Sequence, residues 1–354
     1  MQFFWLFCLS LISILLLNYI FIKKKFLLDE KKLIHKSFAS KISVPISGGV
    51  LILFYILLFI NSLKIKIFFI LIFTLGVLSD LSLIQKPLKK LILQTIIILI
   101  FLKINNFFIL TTNFFFIDYL IKNKTVSILF TCFCILVLIN GSNFMDGVNT
   151  LVSGYYILVI INILHLISNN DASHNFFNFY YLLLVLFLFF IFNALNYSYL
   201  GDSGTFTLSF LVGYYLINLT LSKFNGPNYI SPIYIILLLW YPAFEILFSI
   251  IRKILHKHDP SCPDNSHLHH LLFSYLNYKL KNRYNLNNTL TGILINLYNA
   301  IVFIIGTKFY YNKKYLALII IFNIVFYIAT YLFLKFILIK FNKSSNYTSS
   351  SSHS

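Results

Sequence analysis

Three of the ten acidic residues in this 354-residue chain, Asp80, Asp146 and Asp202, each close or open an apolar run in a different part of the sequence. Carboxylates gathered at one membrane face repel one another and take up protons unless a cation sits among them. Oxygen ligands of this kind suit Mg2+, which takes one or two carboxylates and completes its shell with water and phosphate oxygens. Such a site implies a diphosphate as ligand. The plainer alternative is that each aspartate caps a helix or marks an interface. Asp146 lies in Asn140 to Asn149, Asn-Gly-Ser-Asn-Phe-Met-Asp-Gly-Val-Asn, where amides concentrate between two apolar runs. If this stretch is helical, Asn143, Asp146 and Asn149 share one face that can hold a cation or a sugar-nucleotide. Otherwise it is a polar turn between two helices.

Other groups could serve the same ligand. Lys86, Lys89 and Lys90 face Asp80 across a short loop, either as a phosphate-handling edge or as a plain basic loop. Gly201 and Gly204 flank Asp202 and permit a tight helix entry with amide donors free for phosphate or metal. Tyr199, three residues before Asp202, is placed to stack on a base. A second polar centre runs from Arg252 to His270, where two prolines interrupt any helix before Asp264. His267 and His270, three apart, share a face if the segment is helical. His267, His269 and His270 can donate imidazole N–H groups to a diphosphate or, with Cys262, bind a transition metal. The pair Gly48-Gly49 lets backbone approach a neighbouring helix or a phosphate. Glu245 faces the bundle interior or snorkels toward Arg252, with no catalytic role assigned.

The elements that must position these residues are membrane helices. At 59% hydrophobic residues the chain has more apolar surface than a soluble core can hide. The reading is an all-α transmembrane bundle with spans near 2–22, 44–62, 66–83, 88–104, 125–142, 150–167, 178–195, 203–221, 229–250, 290–307 and 315–339, about eleven in all. The first span keeps its lysines behind the apolar run and shows no small-residue cleavage site, so it is expected to stay as an anchor. Counting the 28 Lys and Arg over alternating loops favours one side about two to one. That places the N-terminus outside, the C-terminus in the cytoplasm, and Asp80, Asp146 and Asp202 all at the cytoplasmic face. Residues 105–123 read as an external interfacial segment. The division expected is a membrane domain over 1–343 and a disordered Ser-rich tail over 344–354. The net charge of +18 is scattered over loops, where an anionic leaflet accounts for it, so nucleic acid is excluded as a partner. The four cysteines suggest no disulfide framework.

These motifs, in order, resemble the polyprenyl-phosphate N-acetylhexosamine-1-phosphate transferases. Pro45 to Gly49 is similar to the family's Pro-x-x-Gly-Gly, and Gly76 to Gln94 to its Asp-Asp motif with Pro87, Lys90, Leu91 and Gln94 downstream. Asn140 to Asn149, Tyr199 to Gly204, and Pro263 to Leu271 resemble three further motifs. Two positions depart: Ser79 stands for the first aspartate of the pair, and Thr150 for the glycine after Asn149. They leave open a subgroup using another sugar, or an inactive scaffold.

The resemblance implies transfer of a sugar-1-phosphate, GlcNAc foremost, from a UDP-sugar to undecaprenyl phosphate with release of UMP, at the cytoplasmic face of the inner membrane. This would be the first membrane step of an envelope polysaccharide, such as a cell-wall polymer or an O-antigen. It implies Mg2+ on Asp202 and Asp146, and Asp80 on the lipid phosphate or its deprotonation. The nucleotide-sugar falls to Asp146 with Asn143 and Asn149, and Lys90, Tyr199 and Asp264 are further substrate-binding residues. The diphosphate or sugar falls to His267, His269, His270 and Arg252. A homodimer is compatible with it. The rival from another class, a transporter or flippase for an anionic solute, predicts polar groups near mid-membrane and an internal repeat.

Overall fold

A computed structural model describes residues 2–28, 43–168, 177–221, 230–257, 266–281 and 283–350. The described residues are helical, with one isolated bridge between Leu28 and Pro45 and no strand among them. The helices are α1 (Gln2–Lys24), α2 (Gly48–Phe59), α3 (Leu63–Asp80), α4 (Pro87–Asn105), α5 (Phe115–Ile121), α6 (Lys124–Met145) and α7 (Leu151–Ser168). They continue with α8 (Phe177–Ala194), α9 (Gly201–Leu221), α10 (Pro232–Leu238), α11 (Trp240–Leu255), α12 (Leu268–Lys279), α13 (Tyr284–Lys308) and α14 (Lys313–Ser350), which carries helix into the Ser-rich stretch.

Each expected span coincides with a helix, the ninth with the bent pair α10 and α11. Five helices are long and apolar enough to cross a membrane (α1, α6, α9, α13 and α14), and the bent pair makes six. Five expected spans fall short of that test: α7 and α8 are too short by a residue or so. The 12 residues of α2 rise about 18 Å against a hydrocarbon core of about 30 Å, and α3 and α4 carry lysines within their ends. The protein is a multi-pass membrane protein. Residues 105–123 hold only the seven-residue α5, so this segment does not span.

The helix α9 is buried nearly all round, rich in Gly, Ser and Thr, and α2, α3 and α6 pack against it. Without a hydrophobic drive between helices in lipid, small side chains that let backbones close up do the packing. A Cβ on Gly76 would lie 2.3 Å from Ser203 Cα, so α3 crosses α9 at van der Waals backbone distance. Gly49 likewise abuts Ser203 and Gly204, which assigns the glycine pair of α2 to helix packing.

The break between α10 and α11, 69° in all, has a covalent cause. Pro242 has no N–H for the carbonyl four residues back. The hydroxyl of Tyr155 donates to that orphaned Leu238 carbonyl at 2.8 Å. The bend brings the Pro242 carbonyl against Gly141 of α6, where a Cβ would lie 2.1 Å away. The polar residues at the end of α11 thereby reach the end of α6.

Candidate active site

The backbone turns into α9 at Gly201, whose φ of +68° is the left-handed region glycine takes without steric cost. A side chain there would also meet both carboxylate oxygens of Asp80 at 2.9 Å. Those oxygens accept hydrogen bonds from the N–H of Asp202 at 2.8 Å and of Ser203 at 3.0 Å. The first amides of α9, expected to be free for phosphate, are therefore taken: an anion from α3 meets the positive end of the helix.

Asp202 points the other way. Its Oδ2 accepts from Lys90 Nζ at 2.8 Å and from the Ser79 hydroxyl. Lys90 thus pairs with Asp202 rather than with Asp80. The two side chains are 23% and 19% exposed, so the pair faces an opening. One turn into α9, the Thr205 hydroxyl donates to Asn143 Oδ1 at 3.2 Å. Deeper still, Asn140 Nδ2 donates to the buried Gln94 Oε1 at 2.9 Å, fixing α4 to α6. Ser79, Asp80, Lys90, Asn143 and Asp202 gather where four helices meet.

The motif from Asn140 to Asn149 does not continue as helix to its end. α6 ends at Met145, Asp146 is its C-terminal cap, and the chain turns before α7. Asn149 therefore leaves the face it was expected to share with Asn143. It is buried, its N–H donating to Asn288 Oδ1 and its Nδ2 to Asn196 Oδ1, both at 2.6 Å. These bonds knit the turn to α13 and to the entry of α9. Tyr199, expected to stack on a base, is half-buried against Ile46 and Phe21, with backbone bonds to Pro45 and Gly48.

The histidines reach Asp146 through its neighbour. A Cβ on Gly147 would lie 2.6 Å from His269 Nε2 and from His270 Cε1, so the Asp-Gly sequence is what lets this turn touch α12. His267 is the residue before α12, with extended backbone, so it shares no helical face with His270. The three rings cluster nonetheless, His269 and His270 with centroids 4.2 Å apart. Burial and the neighbouring rings of His270 and His267 hold the His269 imidazole well below its usual range. His269 is fully buried and, among the described residues, neither ring nitrogen has a hydrogen-bond partner.

Two residues of α11 were read differently in sequence. Arg252 turns to α14, donating to the Tyr331 hydroxyl and to the Ser249 hydroxyl, both at 3.3 Å. Its neighbour Lys253 lies beside the histidine cluster: it is buried, with Nζ 6.0 Å from the centroid of Phe144, whose ring lies 5.1 Å from that of His267. The four-residue spacing of Glu245, Ser249 and Lys253, all buried, is the signal that could have found it. Asp264, Cys262 and the prolines beside them lie outside the described residues. Among the described residues no three His, Cys, Asp or Glu side chains group to hold a metal ion, the His cluster included. The hard oxygens and partial exposure of Asp202, with Asn143 close by on α6, fit a cation that takes few protein ligands and keeps its water and phosphate ones.

A family model described as glycosyl transferase family 4 matches residues 62–220, which hold Ser79, Asp80, Lys90, Asn143, Asp146 and Asp202. An undecaprenyl-phosphate alpha-N-acetylglucosaminyl 1-phosphate transferase of Thermotoga maritima is 26% identical over 230 residues, 65% of this chain and 68% of that protein. A probable undecaprenyl-phosphate N-acetylglucosaminyl 1-phosphate transferase of Bacillus subtilis is 34% identical over 89 residues, spanning 25% of this chain and 24% of that one. Against the matched motifs the two departures, Ser79 and Thr150, acquire a physical reading. Ser79 gives Asp202 a hydroxyl donor where a second aspartate would oppose it with like charge. Thr150 holds a φ of +66°, where a β-branched residue is strained and glycine is not.

Proposed function

We propose that the protein transfers N-acetylhexosamine-1-phosphate, GlcNAc-1-phosphate foremost, from a UDP-sugar to undecaprenyl phosphate. The observation that carries this reading is the gathering of Ser79, Asp80, Lys90, Asn143 and Asp202 on four helices of a membrane protein, all within the residues that match the glycosyl transferase family 4 model. The names of the two relatives supply the acceptor and the sugar.

In this reading an oxygen of the lipid phosphate attacks the sugar-bearing phosphorus of the UDP-sugar. A new P–O–P linkage joins sugar phosphate to lipid, the bridge to the α-phosphorus breaks, and UMP leaves with the bridging oxygen. The attack brings anion to anion, so the chain must supply positive charge and alignment. Lys90 supplies the first. Asp80 holds the first turn of α9 so that Asp202 stays at the opening. His267, His270 and Lys253 receive the phosphates from the α12 side, and Asn143 with Asp146 meets the nucleotide-sugar.

Asp202, with Asp146, would hold Mg2+, which when bound neutralises the diphosphate and draws charge off the departing UMP. The site lies at the cytoplasmic face of the inner membrane, where nucleotide-sugars are made, and the product enters envelope polysaccharide synthesis. The test is UMP release by purified protein in detergent with Mg2+, undecaprenyl phosphate and a panel of UDP-sugars. UDP-GlcNAc is expected to lead. Release from no member of the panel would end this reading.

A further inference from the structure

His267 is held from behind by a carboxylate. Its Nδ1 lies 2.8 Å from Glu245 Oε1, and Glu245 Oε2 accepts from the Tyr327 hydroxyl at 2.7 Å. Glu245 is 1% exposed and His267 6%, so water does little to screen the pair. With Nδ1 engaged by the carboxylate, Nε2 is the nitrogen left to meet a ligand. The ring stands against Phe144, next to Asn143 and two residues before Asp146, and against His269 and His270. Lys253, on the same face of α11 as Glu245, adds its charge beside Phe144. Both Glu245 oxygens are committed, so whatever Glu245 does for a ligand it does through His267.

We propose that Glu245 is a positioning residue for diphosphate binding. It fixes the tautomer and orientation of His267 and balances the positive charge of the ring when Nε2–H is donated to phosphate oxygens. Tyr327 anchors the carboxylate to α14, so the last helix takes part in shaping a site built otherwise from α3, α4, α6, α9, α11 and α12. The inference rests on the nucleotide-sugar part of the proposed function and adds to it a residue of the bent span.

The experiment is a double-mutant cycle on the affinity of the purified full chain for UDP with Mg2+, read by calorimetry in detergent. Glu245→Gln is nearly isosteric and keeps a carbonyl acceptor for Nδ1–H while removing the charge. Each of Glu245→Gln and His267→Gln is expected to weaken UDP about tenfold, in the range found for groups that orient a histidine ligand. The double variant is expected to bind no more weakly than His267→Gln alone. Multiplied losses in the double variant would show that Glu245 acts on the fold rather than through His267, and overturn the proposal. Unchanged affinity in Glu245→Gln would overturn it too, as would a wild-type protein that does not bind UDP. Should Glu245→Gln not fold, Glu245→Asp, which draws the charge back by one methylene, completes the same cycle. The expected pattern in a protein that releases no UMP would leave this inference standing and remove the transferase reading.

Discussion

The carboxylate of Asp80 caps α9 across 122 residues of sequence, one oxygen on the N–H of Asp202 and the other on that of Ser203. Removing it as Asp80→Ala leaves two amides at a helix end without their acceptor. Loss of such a cap costs about 1–2 kcal/mol. The expected result is a lower thermal midpoint together with a loss of UMP release larger than the stability change explains, because Asp202 rides on the turn that comes loose. Asp80→Asn keeps one carbonyl oxygen and should retain more of the midpoint than Asp80→Ala. Equal midpoints for wild type and Asp80→Ala would refute the capping role.

Asp202 accepts from both Lys90 and Ser79 on one oxygen. Hydrogen bonds to a charged group are worth about 1.5–3 kcal/mol. With the pair partly exposed, the lower end applies. Ser79→Ala is expected to lower UMP release about tenfold with little change in thermal midpoint. Asp202→Asn should abolish release, and Lys90→Met should weaken both reactants' use of the site. A Ser79→Ala protein as active as wild type would show that Lys90 alone suffices to hold Asp202.

Much of this arrangement was legible in the sequence because membrane burial restricts where polar groups can stand. Asp80, Asp146 and Asp202 drew notice as acids at the ends of apolar runs, and two of them meet through α9. What sequence could not give was direction. Asp80 and Lys90 face each other across a short loop, yet Lys90 bonds Asp202, because the close crossing at Gly76 sets α9 between them. The three-residue spacing of Asn143, Asp146 and Asn149 promised a common face that the turn after Met145 undoes. Arg252 drew attention over Lys253 although the four-residue step from Glu245 favours the latter. The eleven apolar runs each formed helix, but charges and short lengths keep several from meeting the requirements of a full span.

Thr150 tests the strain at the end of that turn. Its left-handed backbone costs a β-branched residue about 1–2 kcal/mol. Against this, its N–H donates to Asn193 Oδ1 at 2.6 Å and its hydroxyl to the carbonyls of Asn149 and Thr289 at 2.5 and 3.2 Å. Thr150→Gly removes the strain but also the hydroxyl and some order in the unfolded chain. The expected change in stability is therefore within about 1 kcal/mol. Thr150→Val keeps the branch, loses the hydroxyl, and is expected to cost about 2 kcal/mol by thermal or denaturant midpoint. If Val is tolerated as well as Gly, the hydroxyl does not offset the backbone.

His269 gives the fold a dependence on pH whose sign follows from its burial. Folding holds this imidazole neutral, well below its usual range, because the charged form loses its water and is repelled by the His270 and His267 rings. In the unfolded chain the same group takes a proton near its ordinary value of about 6.5. Below that value the unfolded state binds more protons, so stability falls as the pH drops, by at most about 1.4 kcal/mol per pH unit for this one group. Above it both states are neutral and the contribution is flat. Thermal midpoints of wild type and His269→Gln, measured from pH 5 to 8 in detergent, should therefore run parallel above neutrality and converge below pH 6.5 as the wild type loses its advantage. Curves that stay parallel to pH 5 would mean that the folded protein admits a proton at His269, and with it water to the interior of the histidine cluster.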